Sequence, residues 1–168
     1  MKKGFTLIEL IVVIAIMAII SAILFAGKQR EEKRWALQFS AFELAQNFRE
    51  MQEMAMGAGE VECGGVYTYS FGINFSETET YLLYADCNDN NVKDENDVFL
   101  RTVKFRKGVK VCSLSANPLD IVFIPPEPTS FVNNDPIDQE GIITLCLKDD
   151  ETETKIVKVN TVGKIEIE

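Results

Sequence analysis

The sequence contains no histidine, the side chain that most often serves as a general base or metal ligand. It also has no C-x-x-C pair, no phosphate-binding P-loop and no G-x-S-x-G nucleophile elbow. Asp and Glu are abundant, but no two of them stand out as the acid and base of a glycoside hydrolase. These absences remove the central groups of most hydrolases and zinc enzymes, so we do not expect an enzyme.

Basic residues are too few to balance the acidic ones, so the formal net charge is −9 and the pI is about 4.6. An acidic domain repels the phosphate backbone of nucleic acids unless a local basic patch overrides the net field. The best candidate patch comprises Arg101, Lys104, Arg106, Lys107 and Lys110. Alternation along strands divides these side chains between two faces, so we do not expect nucleic acid as a partner.

Proline is missing from the entire first part of the chain, which begins with a long apolar stretch. From Phe5 to Ala26 the only polar residues are Thr6, Glu9 and Ser21. At about 1.5 Å per residue, a helix of this length spans the roughly 30 Å hydrocarbon core of a bilayer. The apolar run of a signal peptide has only about 7 to 15 residues, so we expect a retained transmembrane helix.

Glu9 is the exceptional residue in this stretch, because an ionisable side chain in a membrane helix is costly and is by default functional. The apolar run contains no Lys or Arg that could pair with it. Cleavage between Gly4 and Phe5 would place a new α-amine four residues before Glu9, on the same helix face. The alternative is a carboxylate that simply reaches the lipid headgroups.

The stretch Lys2–Leu10, KKGFTLIEL, followed by a long apolar helix, resembles the prepilin leader of type IV pilins and type II secretion pseudopilins. The resemblance implies that a prepilin peptidase cleaves after Gly4 and methylates Phe5. It also implies that Glu9 pairs with the Phe5 amine of a neighbouring subunit during assembly. The implied partners are this peptidase, other pilin subunits and the inner-membrane assembly platform.

The charges flanking the apolar stretch and the family resemblance predict opposite orientations. Lys2 and Lys3 precede the stretch, whereas a larger basic group follows it, namely Lys28, Arg30, Lys33 and Arg34. Lys and Arg counts alone place the C-terminal side in the cytoplasm. We follow the resemblance and expect a single-pass protein of the cytoplasmic membrane, with the following domain on the outer face and then in a periplasmic or surface filament.

The helical pattern continues beyond Ala26 as an amphipathic segment. Apolar residues recur with four- and three-residue spacing at Leu37, Ala41, Leu44, Phe48, Met51 and Ala55. We expect Trp35, Phe39, Phe42 and Ala45 to widen this face and a sheet to cover it. Gly57 and Gly59 are expected to end one helix of about 50 residues, with two helices hinged at Gly27 as the alternative.

After Gly64-Gly65 the pattern changes to short strands separated by Gly, Asn, Asp and Pro clusters. The expected strands are Val66–Asn74, Thr80–Ala85, Val98–Phe105, Val109–Ser113, Ile121–Ile124, Ile142–Leu147, Lys155–Val159 and Lys164–Ile167. The expected organisation is a leader at 1–4, a transmembrane and filament-core half-helix at 5–26, an amphipathic half-helix at 27–57 and an antiparallel β head at 58–168. The predicted class is α+β with the ladle shape of pilins.

The order of features in the head resembles the GspH/FimT-like minor pseudopilins, notably at Tyr69–Ile73, Tyr81–Asp86 and Val159–Ile165. The predicted function is a structural subunit, a minor pilin or pseudopilin of a type IV pilus-like or type II secretion filament. Two alternatives remain: a DNA-binding minor pilin for DNA uptake, and a membrane-anchored calcium-binding β domain.

The loop between two expected strands has the ligand spacing of a calcium loop. Positions 1, 3, 5, 7, 9 and 12 correspond to Asp86, Asn88, Asn90, the Val92 carbonyl, Asp94 and Asp97. Asn91 stands where a glycine usually makes the sharp turn, and Asp97 is shorter than the usual Glu. The alternative is a solvated acidic turn.

The four cysteines are even in number and widely spaced, which favours two disulfides in an exported domain over a zinc ribbon. A hairpin of Val66–Asn74 with Thr80–Ala85 would place Cys63 and Cys87 near its open end. Cys112 and Cys146 would then form the second bridge, with free buried thiols as the alternative.

Overall fold

The computed structural model describes residues 6–126, 129–135 and 140–168. Gly4 and Phe5 therefore lie outside the described residues, as does part of the proline-rich loop at 125–128. The chain divides into two compact units, residues 1–35 and 36–168. The first contributes an apolar helical segment, and the second contains the hydrophobic core and all the strands.

The first element is the helix α1 (Leu7–Glu53), followed directly by a single π-helical turn at Met54–Ala58. Gly57 in this turn has a φ of 106°, a conformation that strongly favours glycine. The prediction that glycines terminate the helix is confirmed at Gly57. The alternative of two helices hinged at Gly27 is not observed, because α1 is assigned without interruption.

Eleven strands follow in the described residues. They are β1 (Val61–Cys63), β2 (Val66–Thr68), β3 (Phe71–Phe75), β4 (Thr80–Ala85), β5 (Val98–Lys104), β6 (Val109–Leu114), β7 (Leu119–Ile124), β8 (Thr129–Val132), β9 (Gly141–Leu147), β10 (Thr154–Val159) and β11 (Ile165–Ile167). The expected strand Val66–Asn74 is divided into β2 and β3. The short strands β1 and β8 were not predicted.

The strands form three sheets in which every pairing is antiparallel. A five-stranded sheet has the order β5-β4-β3-β7-β8, a four-stranded sheet has the order β11-β10-β9-β6, and β1 pairs with β2 in a two-stranded sheet. In the centre of the larger sheet Ile73 lies opposite Leu83 on one side and Ile121 on the other. The predicted α+β class is confirmed, and the arrangement is consistent with a pilin-like fold.

The core of the second unit lies between the C-terminal part of α1 and the sheets. The helix buries the predicted stripe and Ala45, that is Leu37, Ala41, Leu44, Ala45, Phe48, Met51 and Ala55. The Phe48 ring lies 6.2 Å from that of Phe75 and 6.4 Å from that of Phe123. Burial of such side chains contributes roughly 1.5 to 3 kcal/mol each.

One part of the helix prediction was wrong. Trp35, Phe39 and Phe42 do not widen the buried face, because their side chains are 57%, 48% and 49% exposed. At about 100° per residue, Phe39 and Phe42 lie roughly 140° to 160° from the centre of the buried stripe, on the outward face of α1.

A polar contact also fastens α1 to the larger sheet. The amide Nδ2 of Asn47 donates to the Tyr81 hydroxyl at 2.5 Å, and Arg101 Nη2 donates to Asn47 Oδ1 at 2.8 Å. The same Arg101 nitrogen bonds Glu50 Oε2 at 2.5 Å. Asn47 and Tyr81 are both buried, so each polar group needs its partner.

Candidate functional site

The beginning of α1 is organised by a capping box between Thr6 and Glu9. Thr6 precedes the first helical residue, and its Oγ1 accepts a hydrogen bond from the Glu9 backbone N–H at 3.4 Å. Glu9 Oε2 in return accepts from the Thr6 backbone N–H and from the Thr6 hydroxyl, both at 2.8 Å. This reciprocal pair satisfies N–H groups that a helix start otherwise leaves unpaired.

The capping box gives Glu9 a local partner, Thr6, which was not predicted. The sequence nevertheless contains the signal for it, because Thr6-x-x-Glu9 ahead of an apolar run is the sequence signature of a capping box. Both bonds use Oε2, and within the described residues no hydrogen bond or ion pair reaches Oε1. Glu9 is exposed, so the second oxygen is accessible to a group from another molecule.

The helical segment from Leu7 to Ile23 exposes its apolar side chains on every side. Leu7, Ile8, Met17 and Ile23 are each more than 60% exposed, and no described residue from 7 to 23 is buried. Within the described part of the chain, no helix combines the length and apolarity needed to cross a membrane.

The loop between β4 and β5 is held together by its own acceptors. Asp86 is fully buried, and its two carboxylate oxygens accept the backbone N–H groups of Asn88 and Asn91 at 3.3 and 2.8 Å. Asp97 accepts the N–H groups of Cys87 and Asp94 at 3.1 and 2.7 Å. The loop therefore coils around two carboxylates that come from its two ends.

These two carboxylates create an electrostatic cost. Burial raises the pKa of Asp86, and the negative charge of Asp97 raises it further. Among the described residues, Lys93 lies close to this pair, with its Nζ 3.9 Å from Asp97 Oδ2 and 5.7 Å from the centre of the Tyr84 ring. A divalent cation would reduce this repulsion, which is the feature of the loop that fits calcium.

Other features of the loop do not match a calcium site. Asn88 and Asn90 direct their amide nitrogens at Asp94 Oδ2, at 2.8 and 2.7 Å, so both amides would have to rotate to offer oxygen to an ion. Among the described residues no group of three Cys, Asp or Glu side chains is arranged to hold a metal. Calcium binding stays a prediction.

A buried network on β7 anchors this loop to the larger sheet. Asp120 is 2% exposed, and its Oδ1 accepts from Asn74 Nδ2 at 3.0 Å, the Tyr84 hydroxyl at 3.0 Å and the Lys93 N–H at 3.2 Å. Burial raises the pKa of Asp120 and that of the Tyr84 hydroxyl. Sequence reasoning missed this cluster, since its members are 27 to 46 residues apart from Asp120 and no local pattern connects them.

Both disulfides are present, with the expected pairing. Cys63–Cys87 has a Cα–Cα distance of 5.6 Å, and Cys112–Cys146 has one of 5.8 Å. Both distances are normal for disulfides. The first bridge connects β1 to the start of the Asp/Asn loop, which is the loop between β4 and β5. The second connects β6 to β9 in the four-stranded sheet.

The basic cluster considered for nucleic-acid binding is largely neutralised. Four of its five members lie within 4.0 Å of a carboxylate: Arg101 with Glu50, Lys104 with Glu79, Arg106 with Glu43 and Lys110 with Glu151. In the part of the chain that the structure describes, only Lys107 of this cluster has no such partner. The cluster therefore offers phosphate groups little free positive charge.

The described fold combines an N-terminal helix, apolar in its first part, with antiparallel β sheets, which is the arrangement of pilin-like subunits. Residues 1–25 match the family model described as the prokaryotic N-terminal methylation motif. This motif is the type IV pilin and pseudopilin signature, and it indicates a structural subunit rather than an enzyme family. Searches of curated proteins and of solved structures gave no significant match.

Proposed function

We propose that this protein is a minor pilin or pseudopilin, a non-enzymatic subunit of a type IV pilus-like or type II secretion filament. The methylation motif at residues 1–25 carries the proposal. The same motif fits a protein that is first anchored in a membrane and then assembled with other pilin subunits. In this proposal residues 5–26 are the membrane anchor, and the β head lies on the outer face of the cytoplasmic membrane.

The first step is cleavage after Gly4 by a prepilin peptidase, followed by methylation of the Phe5 amine. Both residues lie outside the described residues, so this step depends on the match of the motif. The step creates a positive charge at the end of an otherwise apolar helix. The closest described acid in the sequence is Glu9, at the first turn of α1.

The second step is assembly, in which Glu9 pairs with the Phe5 amine of a neighbouring subunit. The described geometry is compatible with this role, because the capping box uses only Oε2 and no hydrogen bond to Oε1 occurs among the described residues. Packing α1 among other helices would bury the exposed side chains of residues 7–23. A buried carboxylate without its partner costs about 3 to 5 kcal/mol, so the pair would also fix the register between subunits.

Substitutions at Thr6 and Glu9 separate the capping role from the assembly role. Gln can occupy the same place in a capping box, so Glu9→Gln retains the cap and removes only the charge. Thr6→Ala removes the cap and keeps the charge, and Thr6→Ser is the matched control that keeps both. Each full-length variant is produced in the native host, where membrane insertion, N-terminal mass and content in purified filaments are measured.

We expect Glu9→Gln to be inserted and cleaved but to fall roughly 100-fold or more in the filament fraction. Thr6→Ala and Thr6→Ser should assemble at close to the unmodified level. Normal assembly of Glu9→Gln would refute the charge-pairing role. Filaments in which the chain still carries residues 1–4 would refute the processing step.

The alternatives have less support from the described residues. DNA binding requires free cations, whereas four of the five candidate basic residues face carboxylates. A gel shift with the purified full-length protein at low salt tests this alternative, and no retardation is expected. A bitopic anchor that carries a calcium-binding head predicts no filament content at all, so the filament assay also distinguishes it.

A further inference from the structure

The second unit is strongly acidic but contains one basic pocket. Residues 36–168 include 23 Asp and Glu but only 11 Lys and Arg. Four of these cations, Lys104, Arg106, Lys107 and Lys148, line a single pocket of about 320 Å³. Among the described residues that line it, Glu79 is the only acid. The charge of this basic pocket is therefore opposite to that of the domain in which it lies.

Glu79 neutralises only part of the basic pocket. Lys148 Nζ donates a hydrogen bond to Glu79 Oε1, and this bond lowers the pKa of Glu79, so the carboxylate is ionised at neutral pH. Glu79 Oε2 also lies 4.0 Å from Lys104 Nζ. Two cations thus share one negative charge.

The other two cations of the basic pocket have one acid beside them. Arg106 Nε lies 4.0 Å from Glu43 Oε2, whereas no ion pair to Lys107 occurs among the described residues. Four cations therefore face two carboxylates, which leaves a net charge of about +2. Lys and Arg bind phosphate through charge-assisted hydrogen bonds, and a charge of this size suits one phosphate group. It is too small for the row of phosphates along a nucleic acid.

The basic pocket lies beside the residues with which α1 enters the second unit. The Arg106 backbone N–H donates to Ser40 Oγ at 3.3 Å, and the guanidinium lies 5.1 Å from the centre of the Phe39 ring. Ser40 follows Ala26, the last residue of the proposed membrane anchor, by 14 residues, or about 21 Å of α-helix. The headgroup layer outside the hydrocarbon core is about 5 to 8 Å thick. This length of chain keeps the pocket within about two Debye lengths of the lipid phosphates, and a tilt of the anchor brings it closer.

We propose that the basic pocket binds the phosphate of an anionic phospholipid headgroup while the subunit is anchored in the membrane. This inference rests on the proposed function, because it requires residues 5–26 to be the anchor, and it names a ligand of the head before assembly. Residues 27–35 carry four Lys or Arg and two Glu, so an excess of positive charge continues along the chain from the anchor. The rest of the head is acidic and is repelled by the same lipids, so the pocket also determines which end of the head faces the membrane.

Acylation of lysine side chains measures whether the basic pocket is occupied. The full-length chain is reconstituted in nanodiscs of phosphatidylcholine, either alone or with about 30% phosphatidylglycerol as the anionic lipid. Mass spectrometry then gives the rate at which each lysine is acylated. We expect Lys104 and Lys148 to react about fivefold more slowly in the anionic nanodiscs, because a bound phosphate shields their amines from the reagent.

Lys158 and Lys164 are the internal controls, because they lie at the other end of the four-stranded sheet. Val109, at the pocket, pairs with Leu147 of β9, whereas Lys158 pairs with Ile142 of the same strand. Five residues of strand, about 17 Å, separate these two positions. Lys164 lies beyond the end of β10, further from the pocket. The acylation rates of both controls should be equal in the two lipids.

Charge variants show whether the pocket itself holds the lipid. Lys104→Gln combined with Lys107→Gln should weaken binding about 30-fold and abolish the protection of Lys148, which this variant retains. Lys158→Gln combined with Lys164→Gln removes the same charge elsewhere and should leave Lys148 protected. Glu79→Gln removes an acid from the pocket, so it should increase the ratio of the Lys148 rates in the two lipids. Protection of Lys148 that survives the first double variant would overturn the proposal.

Two further measurements identify the source of the anion. Inorganic phosphate is added to the nanodiscs of pure phosphatidylcholine, where it should not protect Lys148; protection there would assign the pocket to a soluble anion. Protection in pure phosphatidylcholine that increases with protein concentration would assign it to an acidic surface of another chain. Either result would overturn the lipid proposal. Equal Lys148 rates in both lipids would refute the pocket alone, whereas failure of the chain to enter either kind of nanodisc would also refute the membrane anchor of the proposed function.

Discussion

Removal of one buried hydroxyl provides a quantitative test of how α1 is docked on the larger sheet. Tyr81 is 1% exposed, and its ring packs 5.5 Å from that of Phe75 and 5.1 Å from that of Phe105. Its hydroxyl accepts the Asn47 amide at 2.5 Å. Tyr81→Phe keeps the ring and its packing but leaves a buried amide N–H without an acceptor.

The expected cost follows from this geometry. A buried donor that loses its acceptor costs about 1 to 3 kcal/mol, which is more than the net value of an average hydrogen bond. For a chain of this size, each kcal/mol lowers Tm by roughly 2 to 4 °C. We therefore expect Tyr81→Phe to melt about 2 to 12 °C below the unmodified protein. Because only one hydroxyl is lost, the area exposed on unfolding should not change.

Thermal unfolding of the full-length chain in detergent, followed by circular dichroism, measures this difference. Tyr67→Phe is the control, because Tyr67 is 53% exposed and loss of its hydroxyl should change stability by less than about 0.5 kcal/mol. Asn47→Ala and the double variant complete a cycle in which the two losses should not add. Equal melting temperatures for Tyr81→Phe and Tyr67→Phe, or strict additivity in the cycle, would refute the docking contact.

Two further predictions concern the loop between β4 and β5 and its anchor. Burial raises the pKa of Asp120, so its stabilising contribution is complete below the unfolded pKa of about 3.9 and is lost as pH rises through the folded pKa. Asp120→Asn keeps an acceptor oxygen without the charge. Calorimetry should therefore show that the Tm of this variant rises relative to that of the unmodified chain between pH 4 and pH 8. A difference in Tm between the two chains that stays constant over this range would contradict the prediction. About 1 mM calcium should stabilise the full chain against unfolding by roughly 1 to 3 kcal/mol compared with EDTA. Asp86→Asn should abolish this response and the control Asp150→Asn should retain it, whereas an unchanged Tm of the parent chain would end the calcium prediction.

Most of the secondary structure was predictable, because it follows from local periodicity. Lys155–Val159 alternates between apolar and charged residues, and β10 occupies Thr154–Val159. The missed strands lack such a signal, since β1 has three residues before a Gly-Gly turn and β8 follows a proline-rich loop. Their pairing is decided by neighbours that are distant in the sequence.

The candidate sites were predictable to different degrees. Residues 1–25 form a contiguous motif, so a sequence alone is sufficient to recognise it. The Asp/Asn loop was visible by its spacing, but the directions of its amide groups were not, because a side-chain rotation does not alter a spacing. The anchor at Asp120 was invisible, since it joins β3, β4, β7 and the loop through contacts between distant residues.

The helix α1 is the clearest case in which the sequence pattern does not decide which face is buried and the structure is required. The series 37, 41, 44, 48 and the series 39, 42, 46, 49 both repeat with spacings of three and four, so periodicity alone indicates two seams without saying which one the head covers. The prediction combined them into one wide face, although at about 100° per residue a sheet on one side cannot reach side chains roughly 140° to 160° away. Burial decides the question, because Leu44 is fully buried while Phe42 is 49% exposed.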